Sequence, residues 1–280
     1  MAVTTFIPKL WSAALLTHLD KAHVFANLVN RDYEGDISDY GDTVHINQIG
    51  DITVKKYTKG TDIAAPEDIS TTEQLLVIDQ AEYFNFGIDD IDAAQARTDL
   101  MDKAMMRAAY GLADTSDTYL AGLMATGAKI KIGNTTTPIA ITSENAYSTL
   151  VDIKIAMDKK NVPKIGRWVV LPPDYEGALL LDDRFVKGGV PQSDERLTNG
   201  FIGRAAGFDV YTSNNCPVTA SKYSVIASVN MATTYAEQIV KTEGYRPEKS
   251  FKDAMKGLNV YGAKVTMGDA IAVATVTFGS

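Results

Sequence analysis

The spacing of apolar residues changes period several times along the chain, and each change marks an element. Trp11, Leu15, Leu19, Ala22 and Ala26 recur at helical spacing, and Leu16, Phe25 and Val29 widen the stripe. With Pro8 placed as a first-turn proline, this predicts a helix over 8–30 that must pack on the body or on a neighbour. From Asp42 to Tyr57 the period drops to two. Val44 and Ile46 alternate with Thr43, His45 and Asn47; past Gly50-Asp51, Ile52 and Val54 alternate with Thr53 and Lys55. A polar tip over 58–68 follows, and Glu73–Phe86 returns rich in Leu, Val, Ile, Tyr and Phe. The pattern predicts a two-stranded projection whose outward arm of roughly 16 residues reaches about 50 Å. A ribbon of that length is marginal alone in water, so its apolar face has to be covered from outside.

The strongest helical pattern runs from Thr98 to Ala125, with Met101, Ala104, Met105, Ala108, Leu112, Tyr119, Leu120 and Leu123 on its stripe. Thr98-Asp99 supplies a cap, and Asp102 suits the first turn. Such a helix is roughly 42 Å long. A compact chain of this size is only about 48 Å across, so the helix predicts an elongated or flattened molecule. Gly111 in its middle costs about 1 kcal/mol relative to Ala and is read as close packing or a slight bend. Ile88–Ala96 reads as a short separate helical turn.

The second half alternates. Lys129–Ile132 and Pro138–Ile141 around Gly133-Asn134 look like a hairpin. Ser143–Lys160 reads as a helix, Trp168–Leu171 as a buried strand stopped by Pro172-Pro173, and Asp174–Leu181 as a short helix. The stretch 182–203 reads as a loop. Strands follow at Phe208–Tyr211, Tyr223–Ser228, Leu258–Val265 and Ile271–Phe278.

Composition narrows the picture without naming a chemistry. At 45% hydrophobic and 22% charged residues, the 280-residue chain is globular rather than disordered, collagen-like or coiled-coil. Its net charge of -8 is the wrong sign for gripping nucleic-acid phosphates. The single cysteine, Cys216, rules out an intrachain disulfide framework. No apolar run is long enough for a membrane helix, and Met1–Leu10 lacks the pattern of a secretory signal. The expected location is the cytoplasm, or a particle assembled there, with no membrane partner.

Candidate catalytic or ligand groups are sparse. His18, Asp20 and His23 are close in sequence, but two histidines five apart do not share a helical face; they are read as partly exposed helix residues. Asp89, Asp90 and Asp92, and the pair Asp182-Asp183, are read as helix-start and loop acids. Cys216 has no histidine in its half of the chain to act as a base and is read as an inert thiol. Gly200, Gly203 and Gly207 lack the dinucleotide spacing and are read as a flexible loop. Lys55, Lys56 and Lys59 are read as solvated lysines that blunt a strand edge, or as partners for acids on a neighbouring subunit. The reading is therefore a non-enzyme without cofactor or metal, stabilised by overlapping copies of itself.

Several stretches, in this order, resemble the major capsid proteins of tailed bacteriophages with the Hong Kong 97 coat fold, in the subgroup without an inserted accessory domain. They are Phe6–Ser12 running into Asn27–Tyr33, Gly41–Val44 with Asp51–Val54, Asp79-Gln80 to Tyr83–Phe86 with Asp89–Asp92, Arg167–Pro173, Gly207–Asn214, and Tyr245–Glu248. The resemblance covers nearly the whole chain. It implies an α+β, Hong Kong 97-like phage capsid fold. An N-terminal arm would occupy 1–36 and an extended loop, a long β-hairpin, 37–87. A peripheral domain with a spine helix would take 88–128 and 266–280, and a mixed α/β axial domain 129–265. It implies self-assembly into hexamers and pentamers of an icosahedral head, in a virion assembled in the host cytoplasm. Implied partners are a portal protein, a scaffolding protein, a possible decoration or cement protein, and packaged double-stranded DNA touched weakly and without sequence specificity. Because no long helical segment precedes the arm here, the scaffold is expected to be a separate protein. Intersubunit contacts are expected at Trp11, Lys55, Lys56, Tyr57, Lys59 and Arg246. Some family members cross-link a loop Lys to an Asn elsewhere; Lys55, Lys56 and Lys59 qualify by location alone, and no cross-link is expected. The same fold also serves nanocompartment shells that enclose protein cargo, which is the alternative reading. A third, a hydrolase or metal enzyme built on Asp89–Asp92, has the least behind it.

Overall fold

In the computed structural model, the described residues are 23–34, 40–49, 52–57, 59–60, 62, 65–68, 71–89, 100–182, 201–248 and 252–278. Three sheets and three α-helices organise them.

The largest sheet is mixed. Its path runs β4 (Ile130–Ile132), β13 (Ala272–Phe278), β10 (Lys222–Val229), β6 (Arg167–Leu171), β8 (Phe208–Thr212) and β7 (Phe201–Ala205). β5 (Ile139–Ile141) adds to β13, and β9 (Val218-Thr219) to β10. Every residue of β6 is buried, as a strand covered on both faces requires. Helices α2 (Ala146–Lys159) and α3 (Pro173–Leu180) contribute Leu150, Ile153, Met157, Tyr175 and Leu179 to the same core as Val169, Val170, Ile226 and Val273. Pro173 opens α3, where its missing N–H is no loss. Buried Arg167 ties down the turn before β6, donating to the carbonyls of Pro163 (2.8 Å) and Val162 (2.6 Å) and pairing with Asp158 (2.7 Å).

The second sheet has three antiparallel strands in the order β11 (Thr233–Tyr245), β12 (Lys252–Val265) and β3 (Gln80–Asp89). Helix α1 (Leu100–Gly127) lies on one face, where Met105, Ala109, Leu112 and Ala113 meet Met255, Phe84 and Phe86. Its 28 residues make it about 42 Å long, as the periodicity predicts. The third sheet is the ribbon β1 (Thr43–Ile49) and β2 (Thr71–Val77), paired from Thr43↔Val77 to Ile49↔Thr71.

Several expectations are corrected. Residues 23–30 are not α-helical; they form an irregular segment with one 3-10 turn at Ala26–Leu28, because the buried Asp117 carboxylate, rather than i→i−4 bonds, satisfies the N–H groups of Val24, Phe25 and Ala26. The predicted hairpin at 129–141 does not form. Asn134 Oδ1 accepts from Thr136 N, Thr137 N and the Thr137 hydroxyl, closing a turn that leaves β4 and β5 pointing the same way along one edge of β13. Among the described residues the regularly paired part of the ribbon is shorter than predicted. Its return arm splits after Val77, and Gln80–Asp89 pairs with β12 instead of with the outward arm. Seven paired positions reach only about 23 Å, and the base folds back on its own chain: Val44, Ile46, Leu76 and Ile78 pack on Ala236 and Val260. Gly262 permits this approach, since a Cβ there would collide with the Val77 carbonyl. Strand β11 is absent from the sequence reading, its pattern masked by Glu237, Gln238, Lys241 and Glu243. β13 is an inner strand of the large sheet, while β12 and β3 lie beside the long helix. Gly111 is exposed with open space around it, so close packing does not explain it.

Candidate functional site

Two regions stand out: the point where the N-terminal segment joins the body, and the outer part of the ribbon.

At the junction, Asp117 sits on the buried stripe of α1 between Ala113 and Leu120. Its carboxylate reaches the chain at 23–26. Oδ2 accepts from Val24 N (2.6 Å) and Phe25 N (3.2 Å), and Oδ1 from Ala26 N (3.1 Å). Oδ1 also lies 3.2 Å from His23 Nδ1, and His23 Nε2 lies 3.3 Å from Glu237 on β11. Arg31 adds a second cation 3.7 Å from Glu237, and the Tyr235 hydroxyl donates to the same carboxylate. Burial alone would depress the His23 pKa; the two carboxylates outweigh it and raise the value to about 9. Glu237 moves the other way: burial opposes its charge, but His23, Tyr235 and Arg31 hold its pKa below the usual value. His23 is thus 1% exposed and ionically paired, not the partly exposed residue expected of it. His18 and Asp20 lie outside the described residues. The sequence reading missed Asp117, Glu237 and Arg31. The available signal was an acid on the apolar stripe of a long helix.

The ribbon beyond its base has the opposite character. Residues 52–57 carry no regular structure, and all are exposed. Ile52, Val54 and Tyr57 are 64%, 94% and 68% exposed, beside exposed Lys55, Lys56 and Lys59. Thr53 N donates to Glu67 (2.8 Å), so the outgoing and returning chains still meet here. Arg246 is exposed at the far end of β11, 3.8 Å from Asp253. Nearby, a recess of about 360 Å³ is lined by Tyr83, Asn85, Glu243, Lys256, Gly257 and Leu258. Trp11 lies outside the described residues. The structure therefore brings Lys55, Lys56, Tyr57 and Lys59 together on one projection and leaves Arg246 on a different element.

The remaining candidates are absorbed by the fold. Cys216 is buried, its thiol pushed up to about 12 by burial. Gly203 and Gly207 belong to the β7–β8 hairpin, whose Ala206-Gly207 turn has φ of 51° and 86°, the left-handed geometry that suits twisted strands. Gly200 is outside the described residues. Asp182 is buried and accepts from Tyr147 N at the start of α2 (3.1 Å). Asp89 ends β3; Asp90, Asp92 and Asp183 are outside the described residues.

The combination of a long helix on a three-stranded sheet, a projecting ribbon, a tied-down N-terminal segment and a larger mixed sheet defines a shell-forming protein of the Hong Kong 97-like class. The sequence model of the family described as phage capsid protein matches residues 51–276, and the chain belongs to that family. A chain of Mycobacterium phage Che8 is 29% identical over 92% of this chain and 91% of its own, with a TM-score of 0.70. The capsid of Cyanophage P-SCSP1u shares the fold at 17% identity and TM-score 0.66, over 92% of this chain and 87% of that one. The virus-like particle from Pyrococcus furiosus shares it at 13% identity and TM-score 0.60, over 95% of this chain and 98% of that one. No curated protein matches. The chain is a capsid shell subunit, a structural protein of a phage particle that assembles with copies of itself.

Proposed function

We propose that this chain is the major capsid protein of a tailed phage, forming the hexamers and pentamers of an icosahedral head around double-stranded DNA. The observation that carries the reading is the near full-length similarity to the mycobacteriophage chain, aligned over more than nine-tenths of both. The exposed apolar side chains at 52–57 support it, because they need cover that their own chain does not give.

On this reading the arm ends near Asp36 and the extended loop is the ribbon β1–β2 with its outer part. The peripheral unit is α1 with β3, β11 and β12. The axial unit is the large sheet with α2 and α3, with β13 included. Trp11, Lys55, Lys56, Tyr57, Lys59 and Arg246 meet neighbouring subunits, without covalent cross-linking. A portal, a separate scaffolding protein and a decoration protein complete the head. The net charge of -8 suits a container that repels its DNA weakly rather than trapping it. The fold likeness to the virus-like particle from Pyrococcus furiosus prompts the second reading, a shell around protein cargo.

Electron microscopy of particles formed by the full chain, with analysis of nuclease-protected contents, tests both. Closed shells with one distinct vertex and protected DNA are expected. Closed shells holding only a protein cargo would favour the second reading, and monodisperse monomers would sink both.

A further inference from the structure

The cluster around Asp117 holds down a segment that touches three parts of the body. The carboxylate satisfies three consecutive backbone N–H groups that would otherwise be orphaned in the interior. Asn30 N donates to Thr233 O (3.0 Å) and Tyr235 N to Asn30 O (2.9 Å), adding a bridge to β11. Asn230 Nδ2 donates to Val29 O (3.0 Å). The Phe25 ring meets Trp168 edge-on at 6.4 Å.

We propose that Asp117 is the positioning residue of an arm clasp: with His23 and Glu237 it fixes residues 23–34 against α1 and β11. Loss of its charge releases this segment as a unit while the body stays folded. Two features make the segment separable. Its ion pairs to the body and three of its backbone N–H bonds converge on one carboxylate of α1 and one of β11, and none of its residues is a strand within the three sheets. The backbone pairing of β6, β10 and β13, by contrast, closes without it, and Phe25, Ala26 and Val29 join that core through their side chains alone. The clasp also couples elements. A shift of α1 relative to β11 has to break either the Asp117 or the Glu237 contact, since His23 spans both.

The ionisable groups that face His23 are Asp117 from α1 and Tyr235 and Glu237 from β11. Arg31 of the segment itself reaches Glu237 and pairs with Glu34. With His23 protonated, one cation faces Asp117 and two face Glu237. Without that proton, one nitrogen of the imidazole ceases to donate and Glu237 faces Arg31 alone.

The clasp is read in the unassembled chain, and only its consequence for assembly rests on the capsid reading. Hydrogen exchange of the full-length chain, followed by mass spectrometry at pH 7, tests it with Asp117→Asn and His23→Gln. Peptides covering 23–34 should exchange at least tenfold faster in both variants, while peptides covering β6 and β10 keep their protection. Unchanged protection at 23–34, or equal loss across the whole chain, overturns the proposal. If the variants do not fold, the wild-type chain still decides. Protection of 23–34, corrected for intrinsic rates, should fall between pH 7 and 10 ahead of β6 and β10; simultaneous loss overturns the clasp. Shell formation is scored separately. A wild-type chain that forms no shells defeats the capsid reading but not the clasp.

Discussion

The large sheet and the outer ribbon both read as alternating or continuous apolar strand, yet their apolar side chains meet opposite fates. In β6 every residue is buried, and Val169, Val170, Val225 and Ile226 lose all contact with solvent under α2, α3 and the neighbouring strands. In the ribbon, Val54 is 94% exposed and Tyr57 68%. Residue type does not separate the two; the number of covering elements does. The base of the ribbon shows the transition, since Val44, Ile46, Leu76 and Ile78 are covered where the hairpin crosses β12. A part of the molecule that closes its own core sits beside one that depends on neighbours.

That contrast can be broken in four places. The largest effect belongs in the self-sufficient core. Phe208 is fully buried there, and Phe208→Ala should cost about 3–5 kcal/mol, read from the denaturant midpoint. A loss under 1 kcal/mol would mean that the large sheet is not the stabilising unit. Next comes the clasp. A His23 pKa raised from 6.5 to about 9 stabilises the folded state fully below pH 6.5, and the contribution is lost as pH rises through 9. Stability should fall by roughly 3 kcal/mol across that window, and His23→Gln should flatten the profile. An identical profile in the variant would remove His23 as the cause.

Gly111 offers a gain. It is exposed on α1 with room for a Cβ, so Gly111→Ala should raise stability by about 0.5–1 kcal/mol. Destabilisation instead would show that the bend reading had merit after all. The smallest effect on the isolated chain is predicted where the effect on assembly is greatest. Val54→Asp should change unfolding free energy by no more than about 0.5 kcal/mol, yet stop shells from forming under conditions where the wild type assembles. Normal shells from Val54→Asp would show that this side chain needs no cover from a neighbour.

The sequence misread β11 and the clasp for one reason. Thr233–Tyr245 carries Glu237, Gln238, Lys241 and Glu243, so no alternation test finds it; yet its first half is buried because α1 and residues 23–34 bring His23 and Arg31 to meet Glu237. A buried charge is legible only when its partner is known, and His23 lies 214 residues from Glu237. The false hairpin at 129–141 has a related origin. Two short apolar runs around Gly133-Asn134 pair locally by default, whereas β13, more than a hundred residues further on, supplies one edge for both.

Periodicity and composition by themselves established the long helix, the buried strand before Pro172-Pro173 and the exposed ribbon tip, because each depends on neighbours a few residues apart. Tertiary structure alone decided which strands share a sheet, how much of the ribbon its own chain covers, and that His23 is a buried cation. Those outcomes depend on contacts between segments that meet only after the chain has closed its core, and local spacing carries no record of them.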